Sequence, residues 1–112
     1  MNRTELVHAP LHLMILKALT WGPQHGYAIA RWIREVTGDV LRVEEGSLYP
    51  ALHRVEQWGW VEAEWGTSEN NRRAKFYQLT PQGRRHLREE SPNWQRFAQA
   101  VGRVLTEGQG PA

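Results

Sequence analysis

Cysteine is absent from the 112 residues, which excludes disulfides, thiolate nucleophiles and cysteine-based zinc sites. Long apolar runs are absent too. The greasiest stretch, Leu11 to Leu19, falls short of the ~20 residues that span a bilayer and carries Lys17. The start has no basic segment followed by an apolar core and a small-residue cleavage site, so no export is expected and a cytoplasmic location follows. Catalytic constellations are equally scarce. His25, His53 and His86 lack a paired nucleophile, and no glycine-rich phosphate cradle occurs. His8 and His12 are spaced like a helical zinc pair, but Pro10 lies between them and no third ligand follows, so no metal is expected and both are read as solvent-facing. Glu44 and Glu45, being adjacent, point apart, and suit a helix entry better than acid–base work. No catalytic residue and no cofactor is expected. Charge of one sign is also missing in bulk: the net charge is only +2, weak evidence for a polyanionic partner. With 40% hydrophobic and 23% charged residues, the composition is that of one folded domain with a modest core.

What is present is organised around the run Glu44 to Gly59. Leu48, Ala51, Leu52 and Val55 recur at i, i+3, i+4 and i+7, which predicts a helix over about 47–58 with one buried face. Ser47 reads as its N-cap, Pro50 falls in the first turn, and Gly59 suits the left-handed position past the end. Tyr49, His53, Arg54 and Gln57 lie on the other face, with groups that donate or accept at base edges and phosphates. Taken alone, a plain amphipathic helix with a solvated face explains them as well.

The rest of the chain supplies the context. Residues 1–9 read as a loose arm, and Pro10 as the start of a first helix with Leu11, Met14, Ile15, Ala18 and Leu19 buried. Leu13 and Leu16 lie off that stripe, so a second partner, most simply another copy of the chain, is expected to cover them. Trp21 to Tyr27 is a turn; a second helix runs from about Gly26 to Thr37 with Ile29, Ile33 and Val36 inward; Val40 to Val43 is β-prone. Beyond Gly59 the period changes. Val61, Ala63 and Trp65 alternate with Glu62 and Glu64, then a polar tip with Asn70 and Asn71 leads into a returning strand from Arg73 to Leu79. Thr80-Pro81 starts a last helix over 81–106, with Ser91-Pro92 a candidate break, and residues 107–112 form a loose tail. Trp94, Phe97, Val101, Val104 and Leu105 form an apolar stripe on it with nothing left to cover in the same chain. Arg72, Arg73, Lys75, Arg84, Arg85 and Arg88 occur without an intervening acid, which suggests a localised anion-binding face, the alternative being a merely solvated charge run. Three helices, a basic-tipped hairpin over about 67–75 and a final helix make a mainly α fold with a small hairpin (α+β): a winged helix-turn-helix over 10–80 plus a C-terminal dimerisation helix.

Those residues resemble one family closely. Gly22-Pro23-Gln24-His25-Gly26-Tyr27, the run from Glu44 to Arg54, and Glu69 to Tyr77 followed by Leu79-Thr80 and Gly83 are similar to the PadR family of bacterial transcriptional regulators, in its short form with one C-terminal helix. The likeness spans about Leu11 to Leu105. It implies a homodimeric repressor, joined through its first and last helices, that binds a palindromic operator in double-stranded DNA. Carried over by position, Tyr49, Pro50, His53 and Arg54 are expected DNA contacts, together with Asn70, Asn71, Arg72, Arg73 and Lys75 of the wing. Ser47 can touch a phosphate as well as cap, and Tyr27 near the second helix start reads as a phosphate ligand or equally as a core-edge aromatic. In some relatives the dimer interface also holds a flat aromatic effector against a tryptophan, which Trp94 matches here. Leu13, Leu16, Trp94, Phe97, Val101, Val104 and Leu105 are the corresponding interface or effector-pocket residues. His12 departs from the pattern, since relatives often carry an acid there. The alternative reading is a winged-helix module for small molecules or proteins that binds no DNA. An enzyme is not expected.

Overall fold

The computed structural model describes residues 3–112, with side chains described from Pro10 onward. The order is α1 (Arg3–Ala18), β1 (Gln24–His25), α2 (Gly26–Val36), α3 (Glu45–Gln57), β2 (Val61–Thr67), β3 (Arg73–Leu79) and α4 (Pro81–Thr106). Leu48, Ala51, Leu52 and Val55 bury the predicted face of α3 against Leu11, Ile15, Leu16 and Leu19 of α1 and Ile29 and Ile33 of α2. Val61, Tyr77 and Leu79 close this core from the sheet. Burial of apolar surface in this cluster is favourable by ~25 cal/mol per Å².

Prolines punctuate less than the sequence suggests. The segment expected as a loose arm is helical from Arg3, and Pro10 sits inside α1 rather than at its start; Met1 and Asn2 lie outside the described residues. Pro50 sits inside α3, whose N-cap is Glu44 without a side-chain cap bond, not Ser47. The missing N–H leaves the Gly46 carbonyl without its helical donor, but Gly46 is exposed and water can serve it. Pro92 likewise neither ends nor divides α4, because the carbonyl it would have served, on Arg88, lies on an exposed residue. Thr80 does cap α4, its hydroxyl accepting from the Gly83 N–H at 3.0 Å.

Other expectations shift in similar ways. Leu16 is fully buried inside its own chain, so α1 needs no second copy to cover it, while Leu13 is half-buried. Val36 is exposed, not inward. Val40 to Val43 forms no strand; the third strand is Gln24–His25, hidden in the expected turn. The sheet order is β1-β3-β2, with Gln24 opposite Tyr77 and Thr67 opposite Arg73. Trp65, expected on the buried side of β2, is 59% exposed and lies 4.9 Å beneath the Arg73 guanidinium. Gly59 has φ +78°, as its role after α3 requires.

Candidate nucleic-acid interface

The outward side of α3 carries Tyr49, Pro50, His53 and Gln57, all exposed. Tyr49 leans on α2 where Gly26 leaves room for it. A Cβ at Gly26 would come within 3.1 Å of the Tyr49 ring and 3.2 Å of Leu52. His25 caps α2 by accepting from the Ala28 N–H at 3.3 Å, and packs edge-on against Phe76 of β3. This fixes exposed Tyr27 beside Tyr49 at the mouth of a groove of ≈ 940 Å³ between the helices and the hairpin.

The far wall of that groove is the wing. The Ser68 N–H donates to the Arg72 carbonyl at 2.8 Å and the Asn71 N–H to the Ser68 carbonyl at 2.9 Å, while Asn71 takes φ +58°. This tight tip leaves Asn70, Asn71, Arg72 and Arg73 exposed. Arg73 is held over Trp65, a contact that stiffens the side chain without neutralising it. Two acids approach the same face, and each has a cation beside it: Glu69 lies 3.7 Å from Arg31, and Glu56 3.0 Å from Lys75. Hydrogen bonding to Glu56 holds the Lys75 ammonium above the ordinary lysine range, and burial raises the Tyr77 phenol beneath it.

Three of the expected contacts therefore sit differently from the rest. Arg54 turns toward α1, donating from Nε to His12 Nε2 at 2.9 Å, with its Nη2 buried and, among the described residues, unpartnered. His12 is buried, not solvent-facing, and packs edge-on to Trp58 at 5.1 Å. The bond requires Nε2 to be the unprotonated nitrogen; a carboxylate at this position would accept from Arg54 equally well. Ser47 faces a second cavity, of ≈ 1070 Å³, away from the groove. Lys75 is engaged by Glu56. Gln57, already read on the polar face of α3 though not among the carried-over contacts, is exposed one turn after His53. Its i, i+4 spacing from His53 is the signal that marks it.

The second cavity lies between α1, the α2–α3 loop and α4, where Leu13, Met14, Leu87 and Trp94 supply its apolar wall. Lys17, Arg42, Arg84 and Arg88, with the single acid Glu44, supply its predominantly basic rim. The run of cations from Arg72 to Arg88 is thus not one face: the fold sends its first part to the wing and Arg84 and Arg88 to this cavity. Beyond it Phe97, Val101, Val104 and Leu105 are exposed along α4. Among the described residues no group of three His, Cys, Asp or Glu could hold a metal, and no helix is long and apolar enough to cross a membrane.

A helix with an open polar face, flanked by a basic two-stranded hairpin on a three-helix core, defines a winged helix-turn-helix regulator. Comparison with known proteins makes the assignment specific. Residues 15–89 match the model of the transcriptional regulator PadR-like family, and the chain belongs to that family. It is 32% identical over 109 residues to a transcriptional regulator of Mycobacterium tuberculosis, covering 95% of this chain and 97% of that one. Among solved structures, a transcriptional regulator from Thermoplasma acidophilum superposes with TM-score 0.79 at 27% identity, over 94% of this chain and 99% of the other. A PadR family transcriptional regulator from Eggerthella lenta gives TM-score 0.73 at 29% identity, over 93% and 88%. The chain is accordingly a non-enzymatic transcriptional regulator that works by binding DNA.

Proposed function

We propose that the protein is a homodimeric repressor in the cytoplasm that reads a palindromic operator with α3 in the major groove. Tyr49, Pro50, His53 and Gln57 face the bases, while Tyr27, Asn70, Asn71, Arg72 and Arg73 meet phosphates or the adjoining minor groove. The observation that carries this reading is the groove itself: exposed tyrosines of two helices, Tyr27 and Tyr49, face a wing whose arginines have no carboxylate partner among the described residues. An α-helix of ~10–12 Å diameter fits a major groove ~12 Å wide.

The partner copy is argued from α4. Phe97, Val101, Val104 and Leu105 are 39–79% exposed on one stripe, a pattern that marks an interface. A twofold axis through α1 and α4 would aim two α3 helices at successive major grooves. The cavity beside Trp94, apolar within and rimmed by four cations against one acid, Glu44, suits a planar aromatic effector bearing a carboxylate, whose binding would relieve repression.

Selection of bound duplexes from a random pool tests the reading. The expected result is a twofold-symmetric site with half-sites about 34–36 Å apart, one helical turn. Failure to enrich any duplex would favour a winged-helix module that binds proteins or small molecules alone.

A further inference from the structure

Of the wing cations, Lys75 is set apart. Its ammonium donates to Glu56 Oε1 at 3.0 Å, and both side chains are about two-thirds buried, at 35% and 33% exposure. Arg72 and Arg73, by contrast, are exposed at the tip. Glu56 belongs to α3 and Lys75 to β3, so the pair ties the recognition helix to the base of the wing. The Lys75 ammonium also lies 5.7 Å from the Tyr77 ring centre, a second restraint on its direction. Turning Lys75 onto a phosphate would gain one ion pair and lose another. It would also leave a bare Glu56 carboxylate on the helix that faces the DNA, where phosphates repel it.

Building on the DNA-binding reading above, we propose that Lys75 is a positioning residue. It sets the spacing of wing and recognition helix through Glu56, and does not contact a phosphate. The span between the α3 side chains and the wing arginines then depends on a bond inside the protein, and operator preference depends on it too.

The test compares K75M, E56A, the double variant and R72A on the selected operator and on a random duplex across a range of salt concentrations. Each phosphate contact contributes about 0.9 to the slope of log affinity against log salt. R72A is expected to flatten the slope by about that amount. K75M and E56A are expected to leave the slope unchanged, yet each to lower the operator-to-random affinity ratio about tenfold, with the double variant no worse than either. A slope flattened by K75M as by R72A, or operator affinity raised by E56A, would overturn the proposal. E56A alters no wing residue, so a misfolded K75M does not remove the test. Should the wild-type chain show no salt-dependent duplex binding, the DNA reading fails. The strut is then read from urea unfolding: equilibrium constants that multiply across the double variant overturn it, and a double change smaller than the product sustains it.

Discussion

Replacing Gly83 by alanine sets two physical effects against each other, and the structure says which wins. In a helix, alanine is favoured over glycine by about 0.8–1 kcal/mol, so propensity alone makes G83A more stable. But a Cβ at Gly83 would lie 2.0 Å from the Trp60 carbonyl oxygen and 2.9 Å from its carbon, distances that must open by about an ångström. The first turn of α4 is clamped to that segment. The Thr80 N–H donates to the Trp60 carbonyl at 3.1 Å, the Thr80 hydroxyl to the Gly59 carbonyl at 2.6 Å, and the Trp60 ring stacks on His86 at 3.7 Å. Two hydrogen bonds at about 0.5–1.5 kcal/mol each and one aromatic pair of about 0.5–1.5 kcal/mol are at risk. Losing most of them, offset by the propensity gain, leaves a net destabilisation of about 2 kcal/mol. For a domain of this size that lowers Tm by roughly 6–12 °C, at fixed protein concentration because association also shifts Tm. Thermal unfolding followed by tryptophan fluorescence measures it directly. A G83A protein melting at or above wild type would show that the α4 contact is not as tight as described.

Arg54→Ala is expected to destabilise the fold by about 1.5–3 kcal/mol through loss of the bond to His12; urea unfolding checks this, and operator and random affinity should fall together. R72A/R73A is expected to reduce the salt slope by about 1.8, the sum of two contacts, whereas H53A should keep the slope and lower the operator-to-random ratio, both read by binding titrations. Alkaline stability should decline because the Tyr77 phenol and the Lys75 ammonium are both raised in the folded state. Their contribution is complete below their ordinary values and is lost as pH climbs past about 10, so Tm should be level from pH 7 to 9 and fall beyond, less steeply in Y77F. Aromatic carboxylates should quench Trp94 fluorescence with a response absent from W94F, and the uncharged amides of the same compounds should bind more weakly to the basic-rimmed cavity.

Much of this architecture is local and was therefore open to reading from the chain. The 3.6-residue period of Leu48, Ala51, Leu52 and Val55, the two-residue alternation in β2 and the Thr80-Pro81 start of α4 each reflect constraints between near neighbours. Those constraints fix which backbone forms and, in α3, which face turns inward, while Trp65 near the end of β2 stays outside the alternation. The resemblance carried by Glu44 to Arg54 and by the wing then pointed to the surface proposed here to meet DNA.

What tertiary packing alone decided is where long polar side chains end. Lys75 and Arg54 stand at suitable positions on the wing and on α3, but each has a partner far away in sequence, Glu56 and His12, separated by 19 and 42 residues. No periodicity reports such a pair. The same holds for the basic run from Arg72 to Arg88, which the turn into α4 divides between the groove and the cavity. A flexible four- or five-atom side chain settles on whatever acceptor the fold brings within about 3 Å, so its role is set by packing between elements rather than by its own place along the chain.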